Sequence, residues 1–319
     1  MGAFSRQLDE SLYSLTAQDS AFLKAQTGIT DDKALKKHIL QVQAEIYAVF
    51  PYVCILWFSF AKLKITRIPA YNELLRLGKE RKRAIYLEMA CCVGNDLRKA
   101  IVDGFPTKQV IASDLQPEFW KMGHTLFKST PESFPVPFIA GDAFDPQFLA
   151  PSPVPPLSPS NPIPPLSTLT SLTPLVGCVS AIHASAFFHL FSEEKQLQLA
   201  NSLASLMLPK PGSIIFGEHL GMPEKGNLDD KEAHSVDMFC HSPESWKEMW
   251  ETQVFKPGQA KVDAYLTDTL GEMFVGSKAY KVDDTRNGHI YVSKRPATAT
   301  APMAAATSTK WGKGSIGHV

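Results

Sequence analysis

Apolar residues recur at helical spacing between Asp31 and Phe50. Leu35, Ile39, Val42, Ile46 and Val49 share one face and Lys36, Lys37 and Gln43 lie off it, which predicts an amphipathic helix ended by Pro51. An aromatic cluster follows, with Tyr52, Trp57, Phe58 and Phe60, and then a second helix at about Ala70 to Lys79. From there the period switches repeatedly between strand and helix. Ala84 to Met89 leans to strand, the small residues Ala90 to Cys92 and Gly94 allow a sharp turn, and Leu97, Ile101 and Val102 return to helical spacing. Gln109 to Ser113 predicts a second strand ending in Asp114, Pro117 to Lys128 a helix, and Val136 to Ala140 a third strand leading into Gly141-Asp142-Ala143-Phe144.

Between Pro146 and Pro174 the pattern breaks. Prolines at 151, 153, 155, 156, 159, 162, 164 and 165 lack the N–H that helices and central strands need, so a long surface loop is expected between the third and fourth strands. Gly177 to Ile182 then predicts a fourth strand, and Ser192 caps a helix reaching Leu208. Ser213 to Glu218 predicts a fifth strand, and Ser242-Pro243 the cap and first residue of another helix. Val262 to Leu266 and His289 to Lys294 are expected to be the last two strands. The Ala-, Thr- and Ser-rich tail from Arg295 has nothing to bury and is expected to be disordered. The alternation predicts an α/β doubly wound sheet over 83–294, preceded by an N-terminal helical cap over 1–82 and followed by the tail 295–319.

Composition narrows the partners. In 319 residues, 32 Lys plus Arg balance 32 Asp plus Glu, which argues against nucleic acid or an anionic membrane and for a small-molecule substrate. The five cysteines, two of them adjacent at Cys91-Cys92, suit a reduced, cytoplasmic setting better than a disulfide framework. Charged residues precede any apolar run, so no signal peptide is expected, and Ile46 to Ala61 is too short for a membrane span and holds Pro51.

Three acids stand at three successive strand ends. Glu88 precedes the turn; Asp114, at the tip of the second strand, suits the two hydroxyls of a ribose; and Asp142 can take the exocyclic amine of an adenine on which Phe144 stacks. His183, His189, His219 and His241 are the candidate bases. His183 is the best placed, at the carboxyl end of the fourth strand, with His241 second. A metal set of His183, His189 and His219 lacks zinc-type spacing, so no metal is expected. A nicotinamide-dependent oxidoreductase would show GxGxxG, and Gly94 has no such companions.

The segments Leu87 to Lys99, Ser113-Asp114-Leu115, Gly141 to Phe144, His183-Ala184-Ser185 with Phe188 to Phe191, and His241 to Trp246 together resemble a fungal branch of class I S-adenosylmethionine-dependent methyltransferases. That branch includes small-molecule O-methyltransferases of meroterpenoid metabolism, and the resemblance covers roughly residues 35 to 294. It implies a seven-stranded Rossmann-like sheet with an antiparallel last strand. It also implies cofactor contacts at Asp114, Leu115, Asp142, Ala143 and Phe144, with His183 nearby and the turn carrying Glu88, Ala90, Cys91 and Gly94 on the amino-acid end of S-adenosyl-L-methionine. The family usually has Asp followed by Gly-Cys-Cys where this chain has Glu88 and Ala90-Cys91-Cys92.

Methyl transfer from a sulfonium is mostly a matter of positioning. The acceptor is expected to be a small, largely apolar metabolite methylated on a hydroxyl or carboxyl oxygen. It would lie between His183, Phe187, Phe188 and Glu218, with Tyr52 and Trp57 of the cap closing over it. Transfer to sulfur or nitrogen, or a non-catalytic cofactor- or partner-binding homologue, are the alternatives. Oligomeric state is left open.

Overall fold

The computed structural model describes residues 7–154, 163–227, 238–269 and 272–281. The N-terminal part is helical: α1 (Ala17–Thr27), α2 (Asp32–Val49), the single turn α3 (Val53–Leu56) and α4 (Ala70–Glu80). The α2 boundaries match the periodicity, with Leu35, Ile39, Val42 and Ile46 buried and Asp31 capping Ala34 N–H. The helix α1 was not expected. Its local signal is a capping box in which the side chains of Thr16 and Asp19 each meet the other's backbone N–H. Asp19 is also buried and accepts the Leu63 N–H at 2.8 Å, so tertiary contact holds what propensity alone leaves weak.

The alternating region runs β1 (Ile85–Met89), α5 (Asn95–Val102), β2 (Val110–Asp114), α6 (Pro117–Leu126), β3 (Phe138–Ala140), β4 (Val179–Ala184), α7 (Glu193–Leu206) and β5 (Ile214–Leu220). A short ladder of β6 (Gly226–Asn227) with β7 (Phe239–Cys240) follows, then α8 (Pro243–Glu248), which continues as a π-helical turn over Met249–Val254. The described residues end in β8 (Ala260–Asp263), β9 (Leu266–Thr269) and β10 (Glu272–Lys281). The main sheet has the order β3-β2-β1-β4-β5-β10-β8. Its first five members are parallel, and β10 is antiparallel to β5. The strand order reverses direction between β1 and β4, the switch point at which open α/β sheets bind ligands.

Two expectations about this sheet are corrected. Among the described residues the sheet has eight strands, not seven, because β10 is long enough to pair with β8 along one half and β9 along the other, in one continuous register. The position after β5 is taken by 272–281; His289–Lys294 lies outside the described residues, as does the tail 295–319. Nothing in the alternation of 272–281 announces a strand. Its identity comes from pairing with β5, from Phe274 opposite Leu220 to Ala279 opposite Ile215.

Alternation along the strands divides the core. Leu87, Met89, Ile182, Ala184 and Ile215 face α7, α8 and the start and end of the proline-rich insert. Tyr86, Val110, Ala112, Ala181, Ile214 and Phe216 face α4, α5 and Trp120 of α6. So α4, expected in the cap, packs directly on the sheet. The first two helices and the aromatic segment form a third cluster that includes Val93, Phe119, Leu126 and Phe127, and His38 Nε2 meets the Leu126 carbonyl at 2.9 Å. The cap therefore shares its core with α6 and with the turn after β1. No helix among the described residues is long and apolar enough to cross a membrane.

The insert is not wholly a surface loop. Phe148, Leu149, Leu172 and Leu175 are buried against the sheet, and Thr173 Oγ1 accepts the Ala150 N–H at 2.9 Å, which draws the two ends together. Removing residues 155–162 should leave the thermal midpoint nearly unchanged, because closure entropy varies slowly with loop length. Leu172→Ala should cost about 2–5 kcal/mol in urea denaturation. A large loss from the deletion would show that the middle of the insert also packs.

Candidate functional site

The turn after β1 is built from alternating left-handed residues. Ala90, Cys92 and Gly94 have φ of 55°, 51° and 74°, with Cys91 and Val93 between them buried. Gly94 is required twice over. Its φ suits glycine, and a Cβ there would stand 2.8 Å from the Trp120 ring. On the other side, Gly123 lets α6 approach so closely that a Cβ would lie 2.3 Å from the Val93 carbonyl oxygen. The turn is tied to β2 at two points: Cys91 N–H donates to the Ser113 carbonyl at 3.0 Å, and Cys92 N–H donates to Asp114 Oδ2 at 2.8 Å. Asp114 Oδ1 also accepts the Gln116 N–H at 3.0 Å. Each oxygen keeps a further lone pair, so Asp114 serves the turn and can still accept from a ligand. Burial raises its pKa, against the pull of these backbone bonds.

Below the turn lies a buried polar chain. Glu88 on β1 and His183 on β4 are register partners on one face of the sheet, and His183 Nδ1 meets Glu88 Oε1 at 2.7 Å. The Tyr86 hydroxyl donates to the other Glu88 oxygen. On its far side, His183 Nε2 meets Ser185 Oγ at 2.7 Å, and Ser185 Oγ accepts the Glu218 N–H at 3.1 Å. Asp96, in the first turn of α5, brings a carboxylate oxygen within 4.8 Å of the Glu88 and His183 atoms. Its Oδ1 accepts the N–H groups of Lys64 and Ile65 at 2.9 and 3.1 Å, which fastens the cap segment over the chain.

Electrostatics follow from this packing. Burial opposes a charge on His183, but the Glu88 carboxylate, with Asp96, outweighs it and raises the pKa. Burial raises Glu88 as well, partly offset by His183. Glu218 is likewise raised by burial, with Arg67 and Lys64 opposing. For Lys64 burial acts against the charge, and Asp96 and other neighbours including Glu218 raise its pKa nonetheless.

At the rim, the strand ends bring Asp114, Leu115, Asp142, Ala143 and Phe144 together, with the Gly141 N–H on the Asp114 carbonyl at 3.1 Å. Leu115 is 55% exposed despite being apolar. Asp142 is exposed, its Oδ1 accepting the Phe144 N–H at 2.9 Å, and Phe144 stands edge-on to Phe191. An open leucine beside an open carboxylate fits an adenine, whose ring is apolar and whose amine donates. The free N–H groups at the start of α5, behind Gly94, fit a carboxylate. The residues present thus suit a nucleoside-type sulfonium donor.

The expected acceptor residues are less well gathered. Tyr52 lies near Asp114 and 6.1 Å from the Phe119 ring, with its pKa pushed up to about 12 by burial and then by Asp114, so it sits on the β2 side rather than over β4 and β5. Trp57 is 41% exposed. Phe188 is core, packed ring to ring at about 5 Å with His219 and Trp246; Phe187 remains half-buried, against Phe191. Glu218 is buried at the end of β5, beside Ser185.

The two base candidates also change meaning. His183 is 0% exposed with both ring nitrogens engaged, so it offers no free nitrogen to an acceptor. His241 holds Ser245 Oγ at 2.9 Å, and burial lowers its pKa to about 4, which makes it a weak base at neutral pH. His189 and His219 stand 6.4 Å apart, ring to ring, with His219 on the opposite face of the sheet from His183. Ser185, Asp96 and Lys64 escaped notice in the sequence. Ser185 and Asp96 were visible only as parts of the motifs after His183 and from Leu87 to Lys99, and nothing local marks Lys64.

Two expectations follow. Ala90→Gly should raise stability by up to about 1 kcal/mol by relieving a left-handed alanine, read in chemical denaturation; destabilisation would show that its methyl packs usefully. His183→Ala should cost about 3–5 kcal/mol, because it leaves the Glu88 carboxylate buried without its partner. The raised His183 pKa means that its charged contribution is complete below its ordinary value of 6.5 and is lost as pH rises through the higher folded value. The stability gap between the two proteins should therefore narrow over that window without closing, since neutral His183 still donates to Glu88.

Residues 8–61, the cap, match the family described as "Meroterpenoid methyltransferase N-terminal domain". The O-methyltransferase phiE of a fungal species is 28% identical over 69% of this chain and 65% of its own. Among solved structures, one described as a pericyclic reaction enzyme is 14% identical with a TM-score of 0.44, covering 68% of this chain and 48% of its own, so this chain spans about half its length. The methyltransferase trt5 of Aspergillus terreus is 31% identical over 67% of this chain and 68% of its own. The chain thus belongs to the S-adenosylmethionine-dependent methyltransferases of fungal secondary metabolism.

Proposed function

We propose that this enzyme transfers the methyl group to an oxygen, hydroxyl or carboxyl, of a small and largely apolar metabolite. The observation that carries this reading is the buried chain Glu88–His183–Ser185 at the carboxyl ends of β1 and β4, an arrangement suited to handling the proton of an oxygen acid. The half-buried rings of Phe187 and Phe191 near the β4 end favour an apolar acceptor body. One relative carries O-methyltransferase in its name. The donor would lie along the turn from Glu88 to Gly94, with its ribose at Asp114 and its adenine between Leu115, Asp142, Ala143 and Phe144. The cap would cover the site and exclude water, which strengthens the contacts that steer the acceptor oxygen. The donor supplies an already activated methyl group, so the protein's task is orientation and proton handling.

Isotope-labelled S-adenosylmethionine offered with phenols, aromatic acids, terpenoid acids and thiols tests the reading. Label is expected in an ether or ester. Label appearing only in a thioether or an amine would overturn transfer to oxygen. Asp142→Ala is expected to weaken S-adenosylhomocysteine binding by about 1–3 kcal/mol in calorimetry while leaving the melting temperature unchanged, because this exposed carboxylate holds only a local turn. Unchanged affinity would remove Asp142 from the donor site.

A further inference from the structure

Several independent features fix the position of Ser185. Gly217 on β5 lets that strand close on the end of β4: a Cβ there would stand 1.8 Å from the Ala184 carbonyl oxygen. Ala186, the next residue after Ser185, is left-handed at φ 52° and donates its N–H to the Glu218 carbonyl at 2.7 Å. A strained alanine held this way turns the chain immediately after Ser185. The serine hydroxyl is thereby held between the Glu218 N–H and His183 Nε2. With the Glu218 N–H already donated to it, the hydroxyl directs its own proton at neutral His183, whose Nδ1–H is directed at Glu88. One lone pair of Ser185 Oγ is left over.

The geometry points to Ser185 as the group that takes the acceptor's proton, with His183 acting behind it and Glu88 holding the imidazole in its Nδ1–H form. This inference rests on the oxygen-methylation reading. As the acceptor oxygen bonds to the methyl carbon, the carbon–sulfur bond breaks and its electron pair stays on sulfur. The acceptor's proton passes to Ser185 Oγ while the serine proton passes to His183 Nε2. The resulting imidazolium is paired with the Glu88 carboxylate. Charge is conserved, since the positive charge lost by the sulfonium appears on His183. The charged and titratable groups around His183 are Glu88 and Tyr86 from β1, Asp96 from α5, Lys64 from the cap segment and Glu218 and His219 from β5. The acids among them stabilise the protonated imidazole, and Lys64 limits the effect. A hydroxyl acceptor needs this relay; a carboxylate, already ionised at neutral pH, does not.

Two measurements on the full-length protein test the relay. The first is the histidine nitrogen NMR spectrum with S-adenosylhomocysteine bound, His183 being assigned by the loss of its signal in His183→Gln. At about pH 8.5 the relay requires a neutral imidazole protonated on Nδ1. An imidazolium that persists there, or a proton on Nε2, overturns it whatever the natural acceptor is. The second uses para-nonylphenol and para-nonylbenzoic acid, which share one apolar tail. Ser185→Ala should lower kcat on the phenol by about 10²- to 10⁴-fold and leave kcat on the benzoate within about twofold, and Ser185→Thr should recover much of the phenol rate. Equal losses on both acceptors would mark Ser185 as merely structural, and no loss on the phenol would remove it from the proton path. Failure of the oxygen reading looks different: the wild type would methylate a para-nonyl thiophenol or aniline and neither oxygen acid.

Discussion

The pairing of Glu88 with His183 across β1 and β4 is the interaction on which the rest of the site depends. These are the two central parallel strands, and the pair sits where the strand order reverses. Taking a carboxylate out of water costs several kcal/mol even after relaxation, and mutual attraction offsets this only if the remaining hydrogen-bonding positions are also filled. Here they are filled, by the Tyr86 hydroxyl on one side and Ser185 on the other. A chain of this kind rewards one register and penalises every other. A slip of one residue in β1 against β4 would turn the Glu88 carboxylate to the α7 face and take it from His183.

The turn above the pair is held by compression rather than by favourable backbone geometry. Two of its left-handed residues, Ala90 and Cys92, are not glycine, and each such residue costs roughly 1–2 kcal/mol. What offsets that cost is the close fit of Trp120 over Gly94, of Gly123 on Val93 and of the Asp114 carboxylate on the Cys92 N–H. Asp114 therefore has a structural duty, and any variant there would mix the loss of that duty with an effect on the proposed donor contact. Asp142 differs, because its carboxylate bonds within its own loop, to the Phe144 N–H.

The cap is coupled to the site through its backbone. Asp96 accepts two N–H groups from the segment at Lys64 and Ile65, and Asp19 accepts a third from Leu63. One carboxylate belongs to α5 and the other to the first helix of the cap, so the segment between them is strapped to both. This arrangement brings Lys64 within electrostatic reach of Asp96 and Glu218, and so sets the charge balance around a group of buried acids.

Much of the architecture was legible in the chain itself. The helical stripe of Leu35, Ile39, Val42 and Ile46, the five parallel strands and the caps at Ser192 and Ser242 are local patterns, and local patterns survive folding when they agree with the packing. The strand ends carrying Glu88, Asp114 and Asp142 could be read for the same reason. Partnership could not. Whether His183 faces a ligand or Glu88, whether Tyr52 closes over an acceptor or leans on Phe119, and whether Trp57 lines a pocket or meets water depend on residues far away in sequence. The strand at 272–281 was missed on the same grounds, since its pairing with β5, β8 and β9 makes it one. Local pattern was enough to set the order of elements and the chemical groups at their ends. Which of those groups are occupied with one another emerged only once the chain was packed, because hydrogen-bond saturation and burial are properties of neighbours in space, not of positions along the chain.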